Sequence, residues 1–267
     1  MLKRHILNNI KPMCFSANAS FGAGILLSVI GVAAIKKVQH PSQIPFASIP
    51  LIFAVQQISE GLLWLTLPNP DYAFLQRVIT YVFLFLAQIV WPLWIPIAIL
   101  LLEKKEKQRK IQIVLAGVGI LLSFYLSYCL VSYHIQAKII SHHIFYQQDY
   151  PTVLTSYSEV LYIVATIAPA FFSHIKRMWI LGVTILISYI IAVIFYEHYF
   201  VSVWCFFASI ISISVNLIML EIKNSNKTNT HKEVLDPKEF EEDRSMNTRM
   251  KPQPLTELTK KGKEGKK

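Results

Sequence analysis

Long apolar runs separated by short polar stretches make up most of the first 221 residues. A helix that crosses a bilayer needs about 20 mostly apolar residues in succession. Seven segments meet this condition, at residues 17–35, 46–66, 79–101, 111–132, 153–173, 178–196 and 200–220. Pro92 and Pro96 lie inside the third segment, where each removes a helical hydrogen bond, so we expect one kinked helix there. The pattern predicts an all-α fold, a bundle of seven transmembrane helices.

The composition agrees with this pattern and marks a boundary near residue 221. Hydrophobic residues make up 54% of the chain, whereas charged residues make up only 16%. Of the 26 Lys and Arg residues, 12 follow Glu221, in a stretch with few large apolar side chains. Such a composition cannot form a core of its own. We therefore divide the chain into an N-terminal extension (1–16), a transmembrane domain (17–221) and a disordered basic tail (222–267).

Positive charges are unevenly distributed among the loops. Nine of them lie in alternate loops: Lys36, Lys37, Lys104, Lys105, Lys107, Arg109, Lys110, Lys176 and Arg177. The opposite loops contain only Arg77 and Lys138. Because cytoplasmic loops carry an excess of Lys and Arg, we predict that the N-terminus lies outside and the tail in the cytoplasm. Three residues disagree with this orientation unless translation starts at Met13: Lys3, Arg4 and Lys11.

The same charges bear on possible partners. Basic residues between apolar runs are typical contacts for anionic lipid head groups, so we expect membrane lipids near the basic loops and the tail. A nucleic-acid partner is not expected, because no fold-level binding motif accompanies the charge. Small residues in the first and fourth spans, Gly24, Gly31 and Gly117, predict close approach between helices.

Two sequence blocks resemble a known family. The chain reads MCFSANASFGAGILLSVIGVAAIKK from Met13, and QIPFASIPLIFAVQQISEGLLWL follows. These blocks resemble an uncharacterised family of bacterial multi-pass membrane proteins that open with Met-Cys-Phe-Ser-Ala and carry Gln-Gln-x-x-Glu-Gly in the second helix. The resemblance implies a bacterial inner-membrane location and favours Met13 as the start. It implies no activity.

Two acidic residues, Glu60 and Glu159, lie well inside predicted spans. Intramembrane acids usually face the bundle interior and often mark the path of an ion, proton or substrate. Both lie on the outer side of their helix midpoints, at a similar depth. Gln56 and Gln57 share the face of Glu60, because residues three and four apart are neighbours on a helix. Further candidates for the same outer region are Gln88, Tyr128 and His198.

This distribution predicts a polar cavity open to the outside that binds or moves a small molecule or ion. The structural alternative is that the glutamates are protonated and only join helices by hydrogen bonds. A ligand sensor or receptor is a second functional alternative. We favour a protein that is not an enzyme.

Histidines leave a metal-dependent alternative open, an intramembrane lipid hydrolase. Four of them fall on the predicted outer side: His134, His142, His143 and His198. With a glutamate they would offer ligands suited to zinc. The spans contain no HExxH motif, however, and the histidine spacing is not diagnostic. We therefore predict no cofactor, with zinc as the alternative.

Overall fold

The computed structural model describes residues 16–140, 143–196 and 207–235. The chain divides into two compact units, 1–221 and 222–267, and each is described by itself. The α-helices among these residues are α1 (Ala17–Ile35), α2 (Ile44–Ala47), α3 (Ile49–Thr66), α4 (Ala73–Leu84), α5 (Trp91–Leu102), α6 (Glu106–Ser132), α7 (Thr152–Phe171), α8 (Met178–Tyr196) and α9 (Ala208–Leu235). Short 3-10 turns, Pro41–Gln43 and Pro70–Tyr72, precede α2 and α4, and a π-helical turn, Phe85–Val90, joins α4 to α5.

Four helical segments in the described part of the chain are long and apolar enough to cross a membrane. They are Ala17–Ile35, Pro41–Thr66, Pro70–Leu102 and Glu106–Ser132. Two shorter apolar helices follow, Tyr157–Phe171 and Met178–Ile194. These six segments overlap the first six predicted spans. The predicted seventh span, 200–220, begins outside the described residues, so the count of seven stays a prediction.

The third predicted span is one continuous helical segment, as expected, and its π-helical turn ends at Val90, two residues before Pro92. Proline lacks the N–H that would close the preceding turn, so the hydrogen-bond pattern must change there. Neighbouring helices donate to carbonyl oxygens of this turn. The Tyr162 hydroxyl donates to the Ala87 oxygen at 2.6 Å, and Ser123 Oγ donates to the Ile89 oxygen at 2.9 Å. Side chains of neighbouring helices thus satisfy backbone oxygens of the π-helical turn.

Glycines allow two helix pairs to approach closely. Between α1 and α3, a Cβ on Gly31 would lie 2.5 Å from Leu51 Cδ2, and a Cβ on Gly24 would lie 2.9 Å from Ile58 Cγ1. Between α5 and α6 the close approach is made by Gly119. Gly117, predicted for this role, has no heavy atom within 4 Å of its Cβ position, so that prediction was wrong.

A β-hairpin between α6 and α7 is an addition to the predicted all-α fold. Strands β1 (Ile135–Ile140) and β2 (His143–Gln148) are antiparallel, with Ile135 opposite Gln148. The first four residues of β1 alternate between buried and exposed, beginning with buried Ile135 and exposed Gln136, and the last two are exposed. The Tyr146 ring stacks on Phe83 of α4, with centroids 4.8 Å apart. The prediction failed here because a short period-two pattern between apolar runs resembles a polar loop.

The helices of the first unit alternate in direction, which gives the bundle two unlike ends. We call the end that holds the nine basic loop residues the basic end, and the opposite one the hairpin end. Asn216 of α9 donates to the Ile30 oxygen at 3.0 Å and accepts from Lys37 Nζ. Arg177 pairs with Glu221 at 3.4 Å. Polar contacts therefore join α1, α8 and α9 toward the basic end.

Helix α9 extends further along the sequence than the last predicted span. We expected the span to end at residue 220 and the disordered tail to begin at 222. The helix continues through Leu235, and residues 222–235 contain neither proline nor glycine to stop it. The rest of the predicted tail lies outside the described residues.

Candidate functional site

Three neighbouring polar side chains of α3 lie buried in the bundle. Gln56, Gln57 and Glu60 are 1%, 3% and 3% exposed. Trp91 Nε1 donates to Gln56 Oε1 at 2.9 Å, and the Trp91 ring stacks on Phe53 with centroids 4.0 Å apart. The apolar helix α3 thus buries one carboxyl and two amides against its neighbours. We call these three residues, together with Gln88 and Trp91, the polar layer.

Gln88 belongs to this layer because of its position relative to Trp91. Helices α3 and α5 run in opposite directions. Glu60 follows Gln56 by four residues on α3, and Gln88 precedes Trp91 of α5 by three. The side chains of Gln56 and Trp91 are hydrogen-bonded and therefore lie at one depth. Glu60 and Gln88 both lie about one helical turn, roughly 5 Å, from that depth toward the hairpin end. The structure therefore places Glu60 and Gln88 at a similar depth.

Gln88 also anchors the base of the hairpin. Its Nε2 donates to Gln148 Oε1 at 2.7 Å, and its Oε1 accepts from the Tyr150 hydroxyl at 3.1 Å. The residue lies in the π-helical turn, a feature that often occurs at functional sites. Both ends of one amide thus connect the middle of the helical segment Pro70–Leu102 to the end of β2 and the residues that follow it.

Half-buried aromatic side chains form a second feature of this region. They pack against one apolar group of side chains that includes Leu63, Phe83 and Tyr146, and we call them the aromatic cluster: Trp64, Tyr81, Tyr125, Tyr150 and Tyr162. Tyr133 meets the Tyr150 ring edge-on, with centroids 6.0 Å apart. Burial raises the pKa of the Tyr150 hydroxyl, and the neighbouring Cys129, Tyr81 and Tyr125 raise it further. The rings come from α3, α4, α6, α7 and the segment after β2.

The two ends of the bundle differ in charge. The described ionisable residues at the hairpin end, apart from histidines and tyrosines, are Asp71, Arg77, Lys138, Asp149 and Glu159, and all five are exposed. The basic end carries nine Lys and Arg residues against three acids, Glu103, Glu106 and Glu221. Among the described residues, positive charge is therefore concentrated at the basic end, whereas acids and bases at the hairpin end nearly balance.

A comparison with protein-family models gives a match over residues 13–233. The chain belongs to DUF6629, a family of unknown function. The matched stretch begins at Met13 and includes the whole polar layer. No curated protein and no solved structure has detectable similarity to this chain. Membership of DUF6629 agrees with the resemblance to an uncharacterised family, and it supplies no activity.

The other predicted site residues of this DUF6629 chain differ in their exposure. Glu159 is exposed on α7 whereas Glu60 is buried, although both were expected to line one cavity. Tyr128 is 64% exposed on α6. His134 is exposed and His143 buried, whereas His142 and His198 lie outside the described residues. Within the described ranges, no group of three or more His, Cys, Asp and Glu side chains is arranged to hold a metal ion.

Sequence reasoning missed a buried carboxyl at the basic end. The Glu103 side chain is fully buried. Its Oε2 accepts from Ser173 Oγ and from the His174 N–H, both at 3.1 Å, and its Oε1 bonds to His174 Nδ1. Glu103 directly follows the apolar run of α5 and precedes Lys104, and this position at the end of an apolar helix was the sequence feature that could have indicated its burial. We did not predict the burial, because the charged residues that follow Glu103 are typical of a solvated loop.

Proposed function

We propose that this protein crosses the bacterial inner membrane seven times, with the hairpin end outside and the basic end in the cytoplasm. Six apolar helical segments and the apolar sequence at 200–220 support the count. The excess of Lys and Arg at the basic end supports the orientation. Anionic lipid head groups are the partners that such a basic surface would attract.

We further propose that the protein binds or moves a small molecule or ion through the polar layer, with Glu60 taking up a proton or a small monovalent cation. One observation carries this proposal, the burial of Glu60 inside an apolar spanning helix at 3% exposure. Placing a carboxylate at such depth costs about 2.5–3.5 kcal/mol on insertion scales, so such acids are rare and commonly functional.

The neighbours of Glu60 in the polar layer suit this role. The other members of the layer, Gln56, Gln57, Gln88 and Trp91, are uncharged side chains that form hydrogen bonds. An amide both donates and accepts hydrogen bonds. The layer can therefore support the carboxyl in its neutral form and in its ionised form.

Ion movement in proteoliposomes tests the proposal. The full chain is reconstituted with a pH-sensitive dye inside, and a potassium gradient with valinomycin provides the driving force. Proton entry is followed by the dye, and radioactive sodium uptake is measured in parallel. Radioactive rubidium uptake is measured in separate liposomes without valinomycin, because valinomycin itself carries rubidium. We expect at least one ion to enter faster than into empty liposomes, and Glu60→Gln to abolish the difference.

Glu159→Gln is the matched control, since it neutralises an intramembrane acid that is exposed instead of buried. We expect it to retain the ion flux. Flux equal to that of empty liposomes for all three ions, or equal in the Glu60→Gln variant and the parent, would overturn the proposal.

A further inference from the structure

Glu103 joins two loops at the basic end through its carboxyl group. Oε2 accepts from Ser173 Oγ and from the His174 N–H, both at 3.1 Å, and Oε1 accepts from the Lys105 N–H at 3.4 Å. His174 Nδ1 bonds to the same carboxyl, whose side chain is fully buried. The loop between α5 and α6 is therefore held against the loop between α7 and α8. We call Glu103, Ser173 and His174 the loop clamp.

The loop clamp lies where apolar helices reach the basic end. Glu103 directly follows Leu102, the last residue of the apolar segment Pro70–Leu102. Helix α7 ends at Phe171, and α8 begins at Met178. The polar head groups of a bilayer begin where the apolar length of a spanning helix ends. In the proposed membrane placement, the clamp is therefore at the level of the lipid phosphates.

Four basic side chains extend from the two loops beside the clamp, and all are exposed: Lys104, Lys105, Lys176 and Arg177. Each lies within three residues of a clamp member. Arg177 pairs with Glu221 at 3.4 Å, whereas the three lysines form no ion pair with another described residue. The carboxyl of the clamp is itself buried among its donors. Positive charge therefore prevails on this surface and attracts an anion.

Exposed aromatic side chains flank the same loops. Phe171 and Phe172, at the end of α7, are 43% and 50% exposed, and Trp179 in the first turn of α8 is 56% exposed. Tryptophan is enriched at membrane–water interfaces, because its ring is apolar and its N–H can face the head groups. Positive charge beside exposed rings suits a phospholipid, which has an anionic phosphate and apolar chains. A soluble phosphate compound would use the charge and leave the rings uncovered.

We propose that the loop clamp holds Lys104 and Lys176 so that both contact the phosphate of one anionic phospholipid. Its acyl chains lie against Phe172 and Trp179. Glu103 and His174 are positioning residues, since they hold the two loops together and act on the lipid through the lysines. This inference rests on the proposed membrane placement and assigns the anionic lipid partner to one site.

Quenching of Trp179 fluorescence by brominated lipids tests the inference in proteoliposomes that contain the full chain. The bilayer is phosphatidylcholine with a small fraction of either brominated phosphatidylglycerol or brominated phosphatidylcholine. Subtracting the signal of a Trp179→Phe variant isolates Trp179 from the other tryptophans. We expect phosphatidylglycerol to be preferred about tenfold at this site, in line with two basic contacts to one phosphate. Equal quenching by the two brominated lipids would overturn the inference.

Lys104→Gln and Lys176→Gln each remove one charge from the site. We expect each to lower the preference for phosphatidylglycerol about threefold. Lys36→Gln is the matched control, because Lys36 is also an exposed lysine at the basic end but lies directly after α1. It should retain the preference of the parent. Equal losses in the three variants would mean general attraction to a basic surface, and the proposed site would be wrong.

His174→Ala tests the positioning role, since it breaks a clamp contact and leaves every lysine in place. We expect a loss of lipid preference similar to that of Lys104→Gln. His174→Asn should restore the preference, because its amide can donate to Glu103 in place of Nδ1. Circular dichroism establishes that each variant folds, and the lysine variants test the site if His174→Ala does not. Full lipid preference in folded His174→Ala would overturn the role of the clamp.

Sodium phosphate, compared with sodium chloride at equal ionic strength, distinguishes a lipid from a free phosphate. We expect neither salt to displace phosphatidylglycerol more than the other. Displacement by phosphate alone would make the ligand a soluble phosphate and would overturn the lipid assignment.

Lipid preference and ion flux are measured separately and fail separately. Ion flux that depends on Glu60, without a preference for phosphatidylglycerol, would reject the lipid site and leave the proposed ion movement standing. A preference that depends on Lys104 and Lys176, without ion flux, would support the lipid site and reject ion movement.

Discussion

Gly119 of α6 lies against the backbone of α5 so closely that a Cβ on it would stand 2.0 Å from the Pro92 carbonyl oxygen. No flexible side chain can yield here, because the nearest atom belongs to the main chain. We expect Gly119→Ala to separate the two helices and to lower the free energy of unfolding by about 2–4 kcal/mol. Denaturation in mixed micelles would measure this change.

Gly117, two residues earlier on the same helix, is the matched control. Nothing lies within 4 Å of its Cβ position. Gly117→Ala should leave stability unchanged or raise it by about 0.5–1 kcal/mol, since alanine favours the helix. If Gly117→Ala and Gly119→Ala lower the free energy of unfolding equally, the close approach of Gly119 to Pro92 does not determine how α5 packs against α6.

The bond between Trp91 and Gln56 is expected to contribute directly to the packing of α5 on α3. A double-mutant cycle with Trp91→Phe and Gln56→Leu separates this contact from the other effects of each change. We expect a coupling energy of about 1 kcal/mol, within the range of hydrogen bonds between membrane helices. A coupling near zero would mean that the 2.9 Å contact does not stabilise the bundle.

Glu103 should be among the residues most sensitive to the loss of a partner. His174→Ala removes a donor from a carboxyl whose side chain is fully buried, and we expect a loss of about 3 kcal/mol. Glu106→Gln is the control, because Glu106 pairs with Lys110 on the exposed surface at 3.3 Å. Its effect should stay below about 1 kcal/mol. Equal thermal shifts in the two variants would contradict the importance of the buried contact.

We expect ionisation of Tyr150 to lower the stability of the folded protein at alkaline pH. Its pKa lies above the ordinary value of 10.0 because of burial, so the folded state holds the phenol proton more tightly than the unfolded state does. This contribution is complete below pH 10 and is lost as the pH rises further. Tyr150→Phe removes it, and we expect the gap in melting temperature between parent and variant to narrow from pH 9 to pH 11. Parallel melting profiles would contradict the prediction.

Much of the bundle follows from the sequence, because continuous apolar runs leave few alternatives in lipid. The same apolar character explains two errors. A helix that is apolar all around does not reveal which way it is rotated, so Gly117 was chosen instead of Gly119, and Glu159 was assigned to the interior although it is exposed. Around Glu60 the sequence did indicate which face of the helix is buried. Gln56 and Gln57 precede Glu60 by four and three residues, so all three polar side chains lie on one face.

Contacts between distant segments were beyond prediction. Gln88 was a candidate, but its partners Gln148 and Tyr150 approach it only because the hairpin folds back onto the helices. The alternation of apolar and polar residues from Ile135 to Lys138 was the available signal for that hairpin. Glu103 lies among charged residues that indicate a solvated loop, and its burial depends on side chains far along the chain.

The contacts of Glu103 also impose an order on how this protein is made. Two of its donors, Ser173 and His174, follow it by 70 and 71 residues. When α5 and α6 leave the ribosome, those donors have not yet been synthesised, so the carboxyl still lacks both hydrogen bonds. These contacts can form only after α7 has been made, and the complete set of bonds to Glu103 therefore marks a late stage of assembly. A chain interrupted before residue 173 would lack both of them.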